Sequence, residues 1–285
     1  MKVARTRREL RAALAGTWGD QTVGLVPTMG ALHAGHLSLL RAATERCDLP
    51  VVSVFVNPLQ FGPQEDFAGY PRDERTDLEV LAAHGAAIAW LPAAAEMYPP
   101  GHSTFVDVGP LACVYEGEVR PGHFRGVCTV VAMLFNLARC DRAFFGQKDA
   151  QQVAVVNKMV NDMAWPVAIT VCPTVREEDG LALSSRNAYL SSEGRSHATA
   201  LYRSLTTGRS AWLSGASSEA CAQAMRDVLD REPGVSADYA AVVDPVTFSP
   251  VHTGPALLIV AALVGTTRLI DNLPAEARSP SGEDD

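Results

Sequence analysis

Short apolar strands alternate with amphipathic helices through the first 174 residues, and this alternation limits the fold to few arrangements. The first strand, Val23–Val26, is a wholly apolar run of the kind found in parallel strands covered on both faces. Further strands are predicted at Val51–Val56, Ala87–Leu91, Thr104–Val108, Arg142–Gly146 and Val167–Val171, and helices at 3–15, from 37, 73–84, 127–137 and from 147. This order predicts an α/β fold with a doubly wound, parallel, Rossmann-like sheet and right-handed crossovers.

The pattern changes after Pro173, which marks a second domain. Helices are predicted near 192–214 and 217–231, and strands near 239–243, 257–263 and 267–270. We therefore predict a Rossmann-like domain over 1–174 and a smaller α+β domain over 175–273. The remaining residues, 274–285, are rich in Pro, Ser, Glu and Asp and are predicted to be a disordered tail.

Composition and charge exclude several classes of protein. The net charge of −8 argues against binding of nucleic acid through bulk charge. No apolar run approaches the roughly 20 residues that span a bilayer, and no apolar segment of a secretory signal follows the basic start. The six cysteines include no C-x-x-C pair, which favours buried free thiols over disulfides or metal ligands. These features predict a cytoplasmic protein.

Four polar loops stand where ligands usually bind in such sheets, at or beyond strand ends. They contain His33 and His36 in a glycine-bearing turn, Asn57 and Gln60, Lys148 and Asp149, and the run Ser184–Ser185–Arg186. Each loop has an ordinary structural interpretation: the histidines as polar filler or half a zinc site, the cations as surface charges, the serines as helix caps. Together, imidazoles, cations and hydroxyls at a helix start suit a triphosphate.

Five sequence segments carry a resemblance to one enzyme family. The run His33–Ala34–Gly35–His36 is similar to the H-x-G-H signature of the nucleotidyltransferase superfamily. More narrowly, the chain resembles pantoate–β-alanine ligases (pantothenate synthetases) over about Val3 to Asn272. The segments are Pro27–His33, Phe55–Phe61, Arg120–Phe124, Phe145–Asp149 and Ser184–Asn187.

The resemblance implies a reaction and its partners. ATP and pantoate would give enzyme-bound pantoyl adenylate and pyrophosphate, and β-alanine would then displace AMP to give pantothenate. ATP would be a substrate, and Mg²⁺ would bridge its phosphates. The enzyme would be a homodimer with a lid-like second domain. We expect neither nucleic acid nor a membrane among its partners. Two other functions stay open: a nucleotidyltransferase that leaves AMP on its product, and a nucleotide sensor without turnover.

The resemblance also implies roles for individual residues. Catalytic roles fall to His33, His36, Lys148 and Arg186. ATP would be bound by Met29, His33, His36, Gly146, Lys148, Asp149, Val175, Ser184, Ser185 and Arg186. Pantoate would be bound by Met29, Asn57, Gln60 and Gln152. Asp77 would lie near the magnesium–phosphate group.

Three positions depart from the family pattern. Leu183 replaces the methionine that usually precedes Ser-Ser-Arg and keeps its hydrophobic bulk. Gln147 replaces the commoner glutamate and removes a charge beside Lys148. Thr76 stands where an acid often precedes the aspartate at 77.

Overall fold

The computed structural model describes residues 1–16, 20–63, 65 and 67–275. These residues form two compact units. The first consists of Met1–Gly146 and Gln151–Pro173, and the second of Gln147–Ala150 and the chain from Thr174. The chain therefore leaves the first unit for four residues at Gln147–Ala150, where the sequence predicted one continuous domain to residue 174.

A six-stranded parallel sheet forms the first unit, as predicted from the alternation of strands and helices. The strands are β1 (Lys2–Ala4), β2 (Val23–Thr28), β3 (Leu49–Val54), β4 (Ile88–Trp90), β5 (Arg142–Gly146) and β6 (Ala168–Cys172). Their order in the sheet is β1-β4-β3-β2-β5-β6, so the order reverses direction between β2 and β5. The helices are α1 (Arg7–Leu14), α2 (Ala34–Arg46), α3 (Glu74–Ala83), α4 (Ala94–Met97), α5 (Glu116–Val119), α6 (His123–Ala138) and α7 (Ala150–Asp162).

Two predicted elements of this unit are wrong. The leading helix was predicted over 3–15, but Lys2–Ala4 pairs with β4 as strand β1, and the helix begins at Arg7 because Thr6 and Glu9 form a capping box. The strand predicted at Thr104–Val108 is absent from the described structure. The Val106 amide there donates instead to Thr129 Oγ1 on α6, at 3.0 Å.

An antiparallel sheet with three helices forms the second unit. Its strands, in the order β7-β8-β9, are β7 (Val235–Val243), β8 (Ala256–Val264) and β9 (Thr267–Ala275). Its helices are α8 (Ser192–His197), α9 (Ala200–Leu213) and α10 (Ser218–Asp230). The single helix predicted over 192–214 is thus two helices, because the chain turns through an i→i+3 bond from the Leu201 amide to the Ala198 carbonyl. Trp212, Leu205, Met225 and Leu258 lie in its core.

The end of β9 corrects the predicted tail. Pro274 and Ala275 pair with Leu257 and Ala256 of β8, so the strand extends past residue 273. Proline is tolerated there because β9 is an edge strand. The rest of the predicted tail, 276–285, lies outside the described residues.

Two further findings bear on the expectations from composition. Among the described residues, no helix is long and apolar enough to cross a membrane. All six cysteines are free thiols, and all but Cys113 are buried. Burial raises the pKa of Cys128 and of Cys140 to about 12, which makes both thiols unreactive.

Candidate functional site

The turn after β2 presents two histidines at the start of helix α2. Gly30 and Ala31 adopt left-handed backbone conformations, with φ of 83° and 51°. His33 is the N-cap: its Nδ1 accepts from the Gly35 amide at 3.1 Å, and His36 Nδ1 accepts from the His33 amide at 3.3 Å. Because both Nδ1 atoms accept, the neutral rings carry their protons on Nε2. The helix start therefore carries two imidazole N–H groups, with ring centroids 4.1 Å apart, in a region of positive helix dipole.

A buried carboxylate accepts hydrogen bonds from the backbone of the turn after β2. Asp77, on α3, is only 3% exposed, and its two oxygens accept from the Ala31 and Leu32 amides at 3.1 and 3.0 Å. A Cβ at Gly30 would lie 2.8 Å from Asp77 Oδ2, so the approach requires glycine there. The structure thus ties the Asp77 carboxylate to the backbone of the histidine turn, and its place near the magnesium–phosphate group stays a prediction. Within the described part of the chain, no group of three or more His, Cys, Asp and Glu side chains could hold a metal ion.

The loop after β3 brings together three of the residues predicted for pantoate. Asn57 caps a short 3-10 helix, Pro58–Gln60, and its Nδ2 donates to Gln60 Oε1 at 3.0 Å. Gln60 Nε2 donates to Met29 Sδ at 3.1 Å. The bond from Asn57 to Gln60 Oε1 fixes which way the Gln60 amide faces, with Nε2 toward Met29. The fourth predicted residue, Gln152, lies half-buried in the first turn of α7.

Asn57 itself is fully engaged inside the protein. Its side chain is 1% exposed, and Nδ2 also donates to the Gly126 carbonyl at 3.1 Å. Its Oδ1 accepts from the Tyr98 hydroxyl at 2.7 Å and from the Leu59 amide at 3.2 Å. Both hydrogens and both lone pairs are therefore used, and Asn57 orients Gln60 as part of the frame.

A pair from the Arg120–Phe124 segment, for which the sequence suggested no role, holds the same loop. Arg120 donates to both carboxylate oxygens of Glu65, at 2.8 and 2.7 Å, and its Nη1 lies 3.2 Å from His123 Nε2. Burial and the charge of Arg120 lower the pKa of His123 to about 4, so the ring is neutral. Its Nε2 accepts from Arg120, and its Nδ1–H donates to the Gln60 carbonyl at 2.9 Å. Burial would raise the pKa of Glu65, but its bonds to Arg120 outweigh this effect and lower it.

The second unit holds the other predicted phosphate-binding residues. Lys148 lies in a 3-10 turn, Gln147–Asp149, with Nζ 3.7 Å from Asp149 Oδ1. Ser184 caps the 3-10 helix Ser185–Tyr189, and its Oγ accepts from the Arg186 amide at 3.2 Å. The Val175 carbonyl accepts from the Leu183 amide at 3.0 Å, which holds the segment before Ser184 in a hairpin. Of the residues predicted for ATP, Met29, His33, His36 and Gly146 lie in the first unit, and Lys148, Asp149, Val175, Ser184, Ser185 and Arg186 in the second.

Comparison with known proteins gives a consistent result. A family model described as pantoate-beta-alanine ligase matches residues 2–274. The chain is 51% identical to the pantothenate synthetase of Roseiflexus castenholzii over 280 residues, which cover 97% of this chain and 100% of that protein. The chain belongs to the pantoate–β-alanine ligase family. The resemblance read from the five segments is confirmed.

Solved structures of pantoate–β-alanine ligases also match the fold. The crystal structure of pantothenate synthetase from Thermus thermophilus has a TM-score of 0.91 and 49% identity, and the match covers 96% of this chain and 99% of that one. The structure of pantoate-beta-alanine ligase from Francisella tularensis, described as complexed with beta-gamma ATP and beta-alanine, has a TM-score of 0.80 and 31% identity, covering 96% and 97%.

The departures from the pantoate–β-alanine ligase pattern have definite places in the structure. Thr76 Oγ1 donates to Asp73 Oδ2 at 2.7 Å, and Asp73 caps helix α3, so the threonine supports a helix start. Gln147 Nε2 donates to Asn272 Oδ1 at 3.0 Å, a bond that a glutamate carboxylate has no hydrogen to make. Leu183 is half-buried and keeps its place in the hairpin through its backbone.

Proposed function

We propose that this protein condenses pantoate with β-alanine to form pantothenate, consuming ATP and releasing AMP and pyrophosphate through a pantoyl-adenylate intermediate. The observation that carries the proposal is the His33–His36 helix start, whose geometry makes both imidazoles N–H donors. Membership of the pantoate–β-alanine ligase family supports it. The Francisella tularensis relative is complexed with an ATP species and β-alanine, which correspond to two of the proposed substrates.

In the first step, a carboxylate oxygen of pantoate attacks the α-phosphorus of ATP and pyrophosphate leaves. Negative charge builds on the α-phosphate oxygens, where N–H donors from His33 and His36 stabilise it. Lys148, Ser184, Ser185 and Arg186 are proposed to neutralise the triphosphate, since they supply two cations and two hydroxyls. Gly146 and Asp149 are proposed to contact the ribose, and Met29 and Val175 are proposed to bind the nucleotide.

Pantoate is proposed to bind through Gln60 and Gln152, which hold its hydroxyls and carboxylate. Asn57 fixes the orientation of the Gln60 amide, so that Nε2 is the donor. This donor now meets the thioether of Met29, which is a weak acceptor. A hydroxyl or carboxylate oxygen of pantoate is a stronger acceptor, so it would replace the sulfur contact at little cost in free energy.

In the second step, the amine of β-alanine attacks the acyl carbonyl, the carbon–nitrogen bond forms, and AMP leaves with the electron pair of the acyl–oxygen bond. Because water would hydrolyse the adenylate, the site has to exclude it. Magnesium is proposed to be held together with the ATP phosphates, where it would neutralise part of their charge, and Asp77 is the residue proposed to lie near it. We propose a homodimer from the family resemblance and a cytoplasmic location from the composition and cysteine pattern.

The decisive test is a single-turnover reaction with ATP, Mg²⁺ and pantoate but without β-alanine. We expect about one equivalent of pyrophosphate per site and an adenylate that converts to pantothenate and AMP when β-alanine is added. Formation of ADP, or pyrophosphate only when β-alanine is present, would contradict the proposed order of steps. A product that keeps AMP in its mass spectrum would instead identify a nucleotidyltransferase, and nucleotide binding without turnover a sensor.

A further inference from the structure

One side chain of strand β9 makes all its hydrogen bonds to the 3-10 turn Gln147–Asp149 that carries Lys148. Asn272 is buried, and its Nδ2 donates to the carbonyls of Gln147 and Lys148, at 2.9 Å in each case. Its Oδ1 accepts from Gln147 Nε2 at 3.0 Å. Two successive backbone carbonyls thus share one amide group, and both of its hydrogens are used.

Asn272 is in turn held in place by a buried ion pair. Arg176 donates to both oxygens of Asp271, at 2.6 and 2.9 Å, and to the Asn272 carbonyl at 3.0 Å. Asp271 Oδ1 accepts from the Asn272 amide at 2.7 Å. Arg176 also stacks on the Tyr202 ring, with its guanidinium carbon 4.5 Å from the centroid. A side chain anchored at so many points moves little, so the turn that it binds is fixed as well.

We propose that Asn272 is a positioning residue for adenylate formation: it fixes the backbone of Gln147 and Lys148, and with it the point from which the Lys148 ammonium group reaches the triphosphate. The inference rests on the proposed role of Lys148. A long, flexible lysine side chain transmits any shift of its own backbone to its charged end. A misplacement of about 1 Å in a reacting site costs on the order of 10²-fold in rate.

The test is a double-mutant cycle on the single-turnover rate of pyrophosphate release, with wild type, Lys148→Ala, Asn272→Ala and the double variant. We expect Asn272→Ala to slow the step by about 10- to 100-fold, with the pantoate KM within about threefold of wild type because Gln60 and Gln152 are untouched. If Asn272 acts through Lys148, the double variant is no slower than Lys148→Ala.

The outcomes separate the two proposals. A double variant whose losses multiply overturns the positioning role and leaves the role of Lys148 intact. A Lys148→Ala variant at the wild-type rate refutes the proposed role of Lys148, and the inference with it.

Two further variants exclude a role in shape or folding alone. Asn272→Asp has nearly the same shape but lacks both donor hydrogens, so we expect it to be at least as slow as Asn272→Ala; a wild-type rate would overturn the inference. Gln147→Ala is the matched control, since it removes only the bond to Oδ1 and is expected to stay within about threefold of wild type. If Asn272→Ala does not fold, Asn272→Ser, which retains one donor, replaces it in the same cycle.

Discussion

Substituting Gly126 by alanine tests how closely helix α6 must approach the loop that carries Gln60. A Cβ at Gly126 would lie 2.2 Å from the Leu59 carbonyl oxygen and 2.7 Å from the Gln60 amide nitrogen. These atoms are backbone, so no rotamer change relieves the clash. Since ordinary contacts of a Cβ begin near 3.4 Å, the helix and the loop have to separate by about 1 Å.

The expected change in the free energy of unfolding is the balance of one gain and two costs. Replacing a helical glycine by alanine stabilises a helix by up to about 1 kcal/mol. Overpacking costs about 1–3 kcal/mol, and separation also breaks the 3.1 Å bond from Asn57 Nδ2 to the Gly126 carbonyl. Leaving those buried groups unsatisfied costs about another 1–3 kcal/mol. The costs exceed the gain, so we expect the free energy of unfolding to fall by about 3 kcal/mol.

Urea titration measures the loss of stability, and steady-state kinetics measures the effect on the proposed site. We expect the pantoate KM to rise at least about tenfold because Gln60 moves with the loop, while the ATP KM changes less. Gly62→Ala is the matched control: it lies in the same loop region, but its Cβ would meet nothing closer than Glu65 Oε1 at 3.6 Å. If Gly126→Ala and Gly62→Ala behave alike, the close approach does not constrain the loop and the reasoning is wrong.

Three other predictions follow from the first unit. His36→Ala should slow single-turnover pyrophosphate release by about 10²-fold, the usual effect of losing one charge-stabilising donor; a near-wild-type rate would contradict its role. Asp77→Asn should lower the free energy of unfolding by about 2 kcal/mol, because its amide NH₂ would face backbone N–H groups. Any loss in the reaction rate of this variant should persist in excess Mg²⁺; recovery of the rate would show that Asp77 serves the metal. The depressed pKa of His123, about 4, means that the unfolded chain binds a proton that the folded chain does not between about pH 6.5 and 4. Stability should therefore fall by about 3 kcal/mol over that window as the pH is lowered, and urea titrations of His123→Gln should lack this contribution; an unchanged pH slope would refute it.

The sequence predicted the parallel sheet well where a strand is recognisable from its own residues. Apolar runs such as Val51–Val56 indicate buried strands without knowledge of their partners. Strand β1 has only three residues and is a strand because it pairs with β4. Thr104–Val108 shows the reverse, since its composition suits a strand but its Val106 amide is bonded by a helix side chain. In both cases the hydrogen-bond partner decides whether the segment is a strand, and the local sequence pattern does not reveal that partner.

The candidate site likewise contains residues that the sequence could predict and residues that it could not. The polar loops were visible in the sequence because they combine imidazoles, cations and hydroxyls with complementary chemistry at or beyond predicted strand ends. The groups that hold these loops were not, because they act across long separations: Tyr98 on Asn57 over 41 residues, His123 on Gln60 over 63, and Asn272 on Lys148 over 124. A hydrogen bond between distant side chains leaves no periodic trace in the sequence, so only the structure could show it.

Hydrogen-bonding capacity separates the residues that can bind substrate from those that support them. Asn57 is buried with both hydrogens and both lone pairs used, and both ring nitrogens of His123 are engaged within the protein. Such groups have nothing left to offer a ligand unless the fold itself rearranges. Gln60 differs, because within the described part of the chain its Nε2 donates to a weak sulfur acceptor, which a substrate oxygen can replace. By this criterion Asn57 shapes the pantoate end of the site by orienting Gln60. Each Asp77 oxygen accepts one backbone N–H bond and keeps a further lone pair, so its role near the magnesium–phosphate group stays a prediction.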